Sequence, residues 1–125
     1  MRNDKLSVLS MRFSVAIVHL SRLLREKHEY VISNQLEGSG LSIGANIREA
    51  HYAQSRADFI SKLQIALKEA NETGYWLDLL HEVHDLNDED HKRLTNACSE
   101  LRVLLIRSIS TAKANMDTNK PTKTP

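Results

Sequence analysis

Residues 55–84, Ser-Arg-Ala-Asp-Phe-Ile-Ser-Lys-Leu-Gln-Ile-Ala-Leu-Lys-Glu-Ala-Asn-Glu-Thr-Gly-Tyr-Trp-Leu-Asp-Leu-Leu-His-Glu-Val-His, decide the fold. Phe59, Leu63, Ala66, Ala70, Thr73, Leu77, Leu80 and His84 follow one another in alternating steps of four and three, a single helical seam sustained for nearly four heptads. Such a seam suits packing against other helices at shallow crossing angles. Ser55 followed by Asp58 has the form of a capping box with Asp in place of Glu, so the helix is predicted to start there.

Upstream, Leu6, Leu9, Phe13, Ala16, Ile17, Leu20, Leu23 and Leu24 define one face of a helix over 5–27. The next stretch, 29–53, is helix-friendly at its flanks but holds Gly38, Gly40 and Gly44. Each glycine costs about 1 kcal/mol against Ala in a helix interior, which predicts a break or kink over 38–42 with Ser42 capping the second part. Downstream, Asn87 or Asp88 is placed to cap a fourth helix whose first turn gains Glu89 and Asp90 at the positive end of its dipole. Its core positions are Leu94, Ala97, Cys98, Leu101, Leu104, Leu105 and Ile109. Four amphipathic segments with short connections imply an all-α, antiparallel up-and-down four-helix bundle over residues 1–114. Residues 115–125 are polar and hold both prolines, so they are expected to form a disordered tail outside the bundle.

With 125 residues, 41% hydrophobic and 26% charged, the chain suffices for one domain and not two. Four Gly and two Pro supply too few turns for a sandwich or barrel. No uninterrupted apolar run reaches the roughly 18–20 residues of a membrane span and no signal-peptide pattern opens the chain, so a cytoplasmic location with no membrane partner is expected. The net charge of +1 conceals an uneven distribution: +3 over 1–30, −1 over 31–60, −6 over 61–90 and +5 over 91–125. Such a total does not describe a general polyanion binder.

Little in the chain has the pattern of catalysis, and a non-enzyme is expected. There is no Gly-x-Ser-x-Gly turn and no phosphate-binding glycine loop. Cys98 stands among Leu94, Ala97 and Leu101 as a core thiol. His81 and His84 share a helical face near Asp85 and Asp88 but lack His-Glu-x-x-His spacing, so no metal or other cofactor is assigned. Asp85, Asn87 and Glu89 imitate the start of a calcium loop that lacks its glycine and has Asn96 in place of the bidentate Glu. Asn46, Glu49, Asn71 and Glu72 fall beside apolar seams and are expected to form a structural polar network between helices two and three. A second apolar stripe, Val8, Met11, Val15 and Val18 on helix one with Val103 and Ile106 on helix four, predicts contact with a neighbouring subunit.

The string Ser42-Ile43-Gly44-Ala45-Asn46-Ile47-Arg48-Glu49-Ala50, followed by Asp58-Phe59-Ile60 and Ile65-Ala66-Leu67-Lys68-Glu69-Ala70-Asn71-Glu72-Thr73-Gly74-Tyr75-Trp76-Leu77, resembles the bacterial four-helix-bundle proteins known as 23S rRNA-intervening sequence proteins. The resemblance runs at motif level from about Gln35 to Leu80. It implies a left-handed bundle and a ring-like homo-oligomer, with a pentamer favoured, and no established activity for most members. A related branch, the accessory variability determinants of diversity-generating retroelements, forms basic pentamers that bind a reverse transcriptase and nucleic acid. This chain departs from the pattern of its relatives at Glu37 and Gly38, gaining an acid and lacking a base.

The expected function is a non-enzymatic oligomeric scaffold associating with RNA or an RNA-processing partner. Its candidate contacts are Arg12, Arg22 and Arg25 on helix one and Arg93, Arg102 and Arg107 on helix four. The alternative is a purely protein-binding assembly module with no nucleic-acid role, which the low net charge favours.

Overall fold

The computed structural model describes residues 4–118, which form four helices: α1 (Lys5–Glu26), α2 (Tyr30–His51), α3 (Arg56–Glu82) and α4 (Asp88–Thr118). Among the described residues there is no strand. Three of the helices begin where a short polar side chain accepts a backbone N–H that has no partner within the helix. Ser7 N–H donates to Asp4 Oδ1 (2.8 Å), Asp58 N–H to Ser55 Oγ (3.0 Å) and Asp90 N–H to Asn87 Oδ1 (2.8 Å). Asp58 accepts from the backbone N–H of Gln54 (3.4 Å), one residue before the Ser55 N–H that a capping box would use.

α1 and α3 end in the same way without glycine. His28 and His84 adopt left-handed conformations with φ of 64° and 65°. The residue after each donates its N–H back into the helix, Glu29 to Leu24 O and Asp85 to Leu80 O, both at 2.9 Å. These bonds satisfy terminal carbonyls and reverse the chain. His84 therefore belongs to the turn and is exposed rather than continuing the α3 seam.

Contacts between neighbouring helices run in opposite directions along the chain. Ser7 at the start of α1 meets His51 at the end of α2, while Arg25 near the end of α1 meets Glu37 early in α2. Ser39 and Glu49 of α2 meet Thr73 and Lys62 of α3, and Ala70 and Asp78 of α3 meet Cys98 and His91 of α4. The helices are thus antiparallel in chain order, with the α1–α4 seam the least extensive. Phe13, Ile17, Leu24, Leu36, Ile43, Ile47, Leu63, Leu77, Leu80, Leu101 and Leu105 fill the centre. Each such residue contributes about 1.5–3 kcal/mol by leaving water. Leu23, expected on this face, instead points outward and is 56% exposed.

Two further features differ from the expectation. First, α2 is continuous through Gly38, Gly40 and Gly44. A Cβ on Gly40 would lie 2.9 Å from Ile17 Cγ2, and one on Gly44 would lie 3.2 Å from Ser14 Oγ. These two glycines let α2 sit close to α1, and the packing gained offsets their cost in helix propensity. Ser10, Ser21 and Ser33 are buried along the same seam. Ser42 is no cap, since its hydroxyl donates to Gly38 O one turn back (2.7 Å). Second, α4 runs to Thr118, past the boundary expected at 115, and Met116 packs against the core. The rest of the proposed tail, 119–125, lies outside the described residues.

By length and composition α1 could cross a bilayer. Its apolar content reflects two faces: Phe13, Ile17 and Leu24 build the core, whereas Val8, Met11 and Val15 stay exposed.

The glycines differ in their surroundings, and that makes them testable. Gly40→Ala must displace the fully buried Ile17 and is expected to destabilise by about 1–3 kcal/mol in urea unfolding. Gly38→Ala meets nothing within 4 Å and is expected to stabilise by about 0.5–1 kcal/mol. Equal effects at the two positions would contradict the packing role.

Candidate functional site

The expected polar network does not form. Asn46 donates to Ser42 O in its own helix (2.8 Å), and Glu72 accepts from Trp76 Nε1 in its own helix (3.3 Å). Asn71 is exposed. Only Glu49 joins α2 to α3, through Lys62 at 3.4 Å. These positions lie at or beyond the edge of the buried stripe, where water satisfies polar groups. The polar contacts that are buried involve smaller side chains. The hydroxyls of Thr73 and Ser39 meet at 2.9 Å, with Glu69 O 2.8 Å from Thr73 and Leu36 O 3.3 Å from Ser39 as acceptors. Ser33 donates to Ser21 O (3.2 Å), and Cys98 Sγ–H donates to Ala70 O (3.3 Å). Burial pushes the Cys98 thiol up to about 11, which suits a core thiol and not a nucleophile.

The six candidate arginines do not converge on one surface. Arg25 is committed to Glu37, with donor–acceptor distances of 2.6 and 3.2 Å, and it also donates to Asn34 (3.2 Å). Arg93 pairs with Asp90 at 3.4 Å. Arg22, Arg25 and Arg93 thus lie towards the end of the bundle that holds the α1–α2 and α3–α4 corners. Arg12 and Arg107 lie towards the opposite end, where neither has a carboxylate partner among the described residues, and Arg102 is exposed on α4.

Two clefts lie at that opposite end and share His51. One, about 1100 Å³, runs between α1 and α2 past Ser7, Met11, Arg12, Arg48 and Tyr52. The other, about 770 Å³, lies between the α2–α3 corner and the end of α4, past Arg56, Phe59, Arg107 and Thr111. His51 is held by Ser7 Oγ (3.0 Å) and Asp4 Oδ2 (3.1 Å) through Nε2, and its buried Nδ1 has no hydrogen-bond partner among the described residues. Arg48, Arg56 and Tyr52 gave no signal in sequence, because each looks like a solvated helix-end residue until the helices are assembled.

Of the predicted subunit stripe, Val8, Met11, Val15, Val103 and Ile106 are exposed, Met11 most at 54%. Val18 is half-buried.

The histidines sit at the acidic corner. His81 Nε2 lies 2.6 Å from Asp88 Oδ1 and His91 Nε2 lies 2.8 Å from Asp78 Oδ1, so each helix supplies one His and one Asp to the other. The two rings stack at 4.1 Å and 6°. His84 sits in the corner with a left-handed backbone, and among the described residues no group of three or more His, Cys, Asp or Glu is arranged to hold a metal ion.

Charge pairs at this end act in opposite senses. A hydrogen bond from His81 holds the Asp88 carboxyl below its usual range, and Arg25 does the same for Glu37. Both contributions are present at neutral pH and fade as pH falls through the lowered values. Glu29 is raised by its side-chain hydrogen bond to Asp85 across the two corners. That contact favours the fold when Glu29 is protonated and opposes it once both acids are charged. Glu37→Gln should therefore lower the thermal midpoint at pH 7, whereas Glu29→Gln should raise it. Both differences should vanish near pH 2, and shifts of the same sign at pH 7 would contradict the assignment.

The comparisons agree with this architecture. The chain is similar to a crystal structure of a protein with unknown function from the S23 ribosomal protein family of Bacteroides thetaiotaomicron VPI-5482. The two share 51% identity over 83% of this chain and 97% of that one, with a TM-score of 0.81. No curated protein matches. The family model for 23S rRNA-intervening sequence protein matches residues 3–107, nearly the whole bundle with its paired corners and close α1–α2 seam, and the chain belongs to that family.

Proposed function

We propose that the protein is a non-enzymatic scaffold that assembles with copies of itself through the outward apolar stripes of α1 and α4. The observation that carries this reading is the exposure of Val8, Met11, Val15, Val103 and Ile106, between 36% and 54%, on helices whose other faces already fill the core. An apolar row on a finished bundle adds nothing to the fold of one copy and favours association. A patch on α1 and another on α4 suit a heterologous contact, in which one copy's first patch meets its neighbour's second; repetition closes a ring when the rotation between neighbours divides a full turn. Five copies is the ring the family resemblance favours. The inert Cys98 supports a binding role rather than catalysis.

Sedimentation velocity at micromolar concentration tests this. The natural chain should sediment as an oligomer. Met11→Glu combined with Val15→Glu should sediment as a monomer with its helical circular dichroism intact. A natural chain that is monomeric throughout, or an oligomer indifferent to both substitutions, would overturn the proposal.

A further inference from the structure

The charge of this chain is sorted along the bundle axis. At the end formed by the α2–α3 corner, the start of α1 and the end of α4, the acids whose side chains are described are engaged: Asp4 with His51 and Ser7 N–H, Glu49 with Lys62, and Asp58 with the backbone N–H of Gln54. Among the described residues Arg48, Arg56 and Arg107 have no carboxylate partner there, and neither does Arg12 across the first cleft. At the other end, Arg25 and Arg93 are paired and Glu82, Asp85, Glu89 and Asp90 cluster around the α3–α4 corner. The total of +1 thus separates into a basic end and an acidic end.

Unpaired guanidiniums lining a concave surface favour phosphate, to which they donate in a planar fork. The neighbouring side chains narrow the class. Tyr52 is 71% exposed between Arg48 and Arg56 at the corner, and Phe59 lines the second cleft beside Arg56. Aromatic faces alternating with arginines accept unpaired bases by stacking while the cations follow the backbone. An acidic peptide would answer the charges but has no use for the aromatic faces, and duplex bases are already stacked on one another.

We infer that the α2–α3 end of the bundle binds single-stranded nucleic acid, with Arg48, Arg56 and Arg107 contacting phosphates and Tyr52 stacking on a base. Val8 and Met11, which also line the first cleft, belong to the α1 stripe, so the corner residues carry the site. The surface is that of one protomer, and the inference stands or falls separately from self-assembly.

Fluorescence anisotropy with a labelled oligouridylate of about 20 nucleotides tests it between about 50 and 200 mM salt. Three phosphate contacts on a single strand predict that log affinity falls with a slope of about −2 against log salt. Arg48→Ala with Arg56→Ala should weaken binding about tenfold or more and reduce that slope by about 1.4. Tyr52→Ala should weaken binding about fivefold or more with the slope unchanged. Arg22→Ala with Arg93→Ala, at the other end, should leave binding as it was, and circular dichroism should show every variant folded. No binding at 50 mM salt, equal loss from the two arginine pairs, or an unaffected Tyr52→Ala would overturn the inference. So would tighter binding of a duplex, or poly-glutamate binding as tightly as the oligouridylate, since either would assign the basic end to another class of partner.

Discussion

The hydrogen at Gly40, where any other residue would carry a Cβ, sets the separation of α1 and α2. Ile17 packs its branched side chain into the space so left, within 2.9 Å of where that carbon would lie. One turn further along α2, Gly44 leaves the same kind of room for the Ser14 hydroxyl. Dense interiors respond to a single methyl group, so this pair of positions constrains the whole first half of the bundle. With α1 held this close to α2, Ser10, Ser21 and Ser33 are buried along the seam. The short corners then bring α3 and α4 round to complete the core.

The orientation of α1 in that seam also determines what it shows to solvent. Because Phe13, Ile17 and Leu24 are turned inward, Met11 and Val15 are turned outward, and the same helix can serve both the core and a neighbouring copy. At the foot of the seam, Ser7 and Asp4 hold His51, and this contact places Arg48 and Tyr52 beside the α2–α3 corner. At its head, Arg25 and Glu37 close the opposite end, where the acidic groups gather. The apolar stripe and the two charged ends therefore follow from one packing arrangement, and no loop of any length is needed to display them.

Most of the fold was legible because period and capping are local properties. The seam from Phe59 to Leu80 and the cap at Ser55 could be read from spacing alone, whereas spacing left Asn87 and Asp88 both open and the structure uses Asn87. The glycines of α2 could not, since a helix breaker and a close-packing glycine look alike until the opposing helix is known. His28 and His84 likewise gave no sign of turning the chain, a task that glycine usually performs. The outward stripe was visible because it too is periodic. The expected polar network failed for a different reason. Asn71 and Glu72 lie next to the seam in sequence, but a step of one residue turns a helical side chain through about 100°, out of the core. The basic corner was hidden because its arginines come from α2, α3 and α4, and only the antiparallel arrangement brings them to the same end.

A double-mutant cycle between Ile17 and Gly40 measures the constraint itself. Ile17→Ala alone opens a cavity, Gly40→Ala alone crowds a filled space, and the two together place a methyl group where atoms have been removed. The packing account predicts that the double variant is more stable than the sum of the single losses by about 1–3 kcal/mol, as residues in direct contact do not act independently. Strict additivity in chemical unfolding would mean that Gly40 does not hold α2 against Ile17, and it would contradict the account.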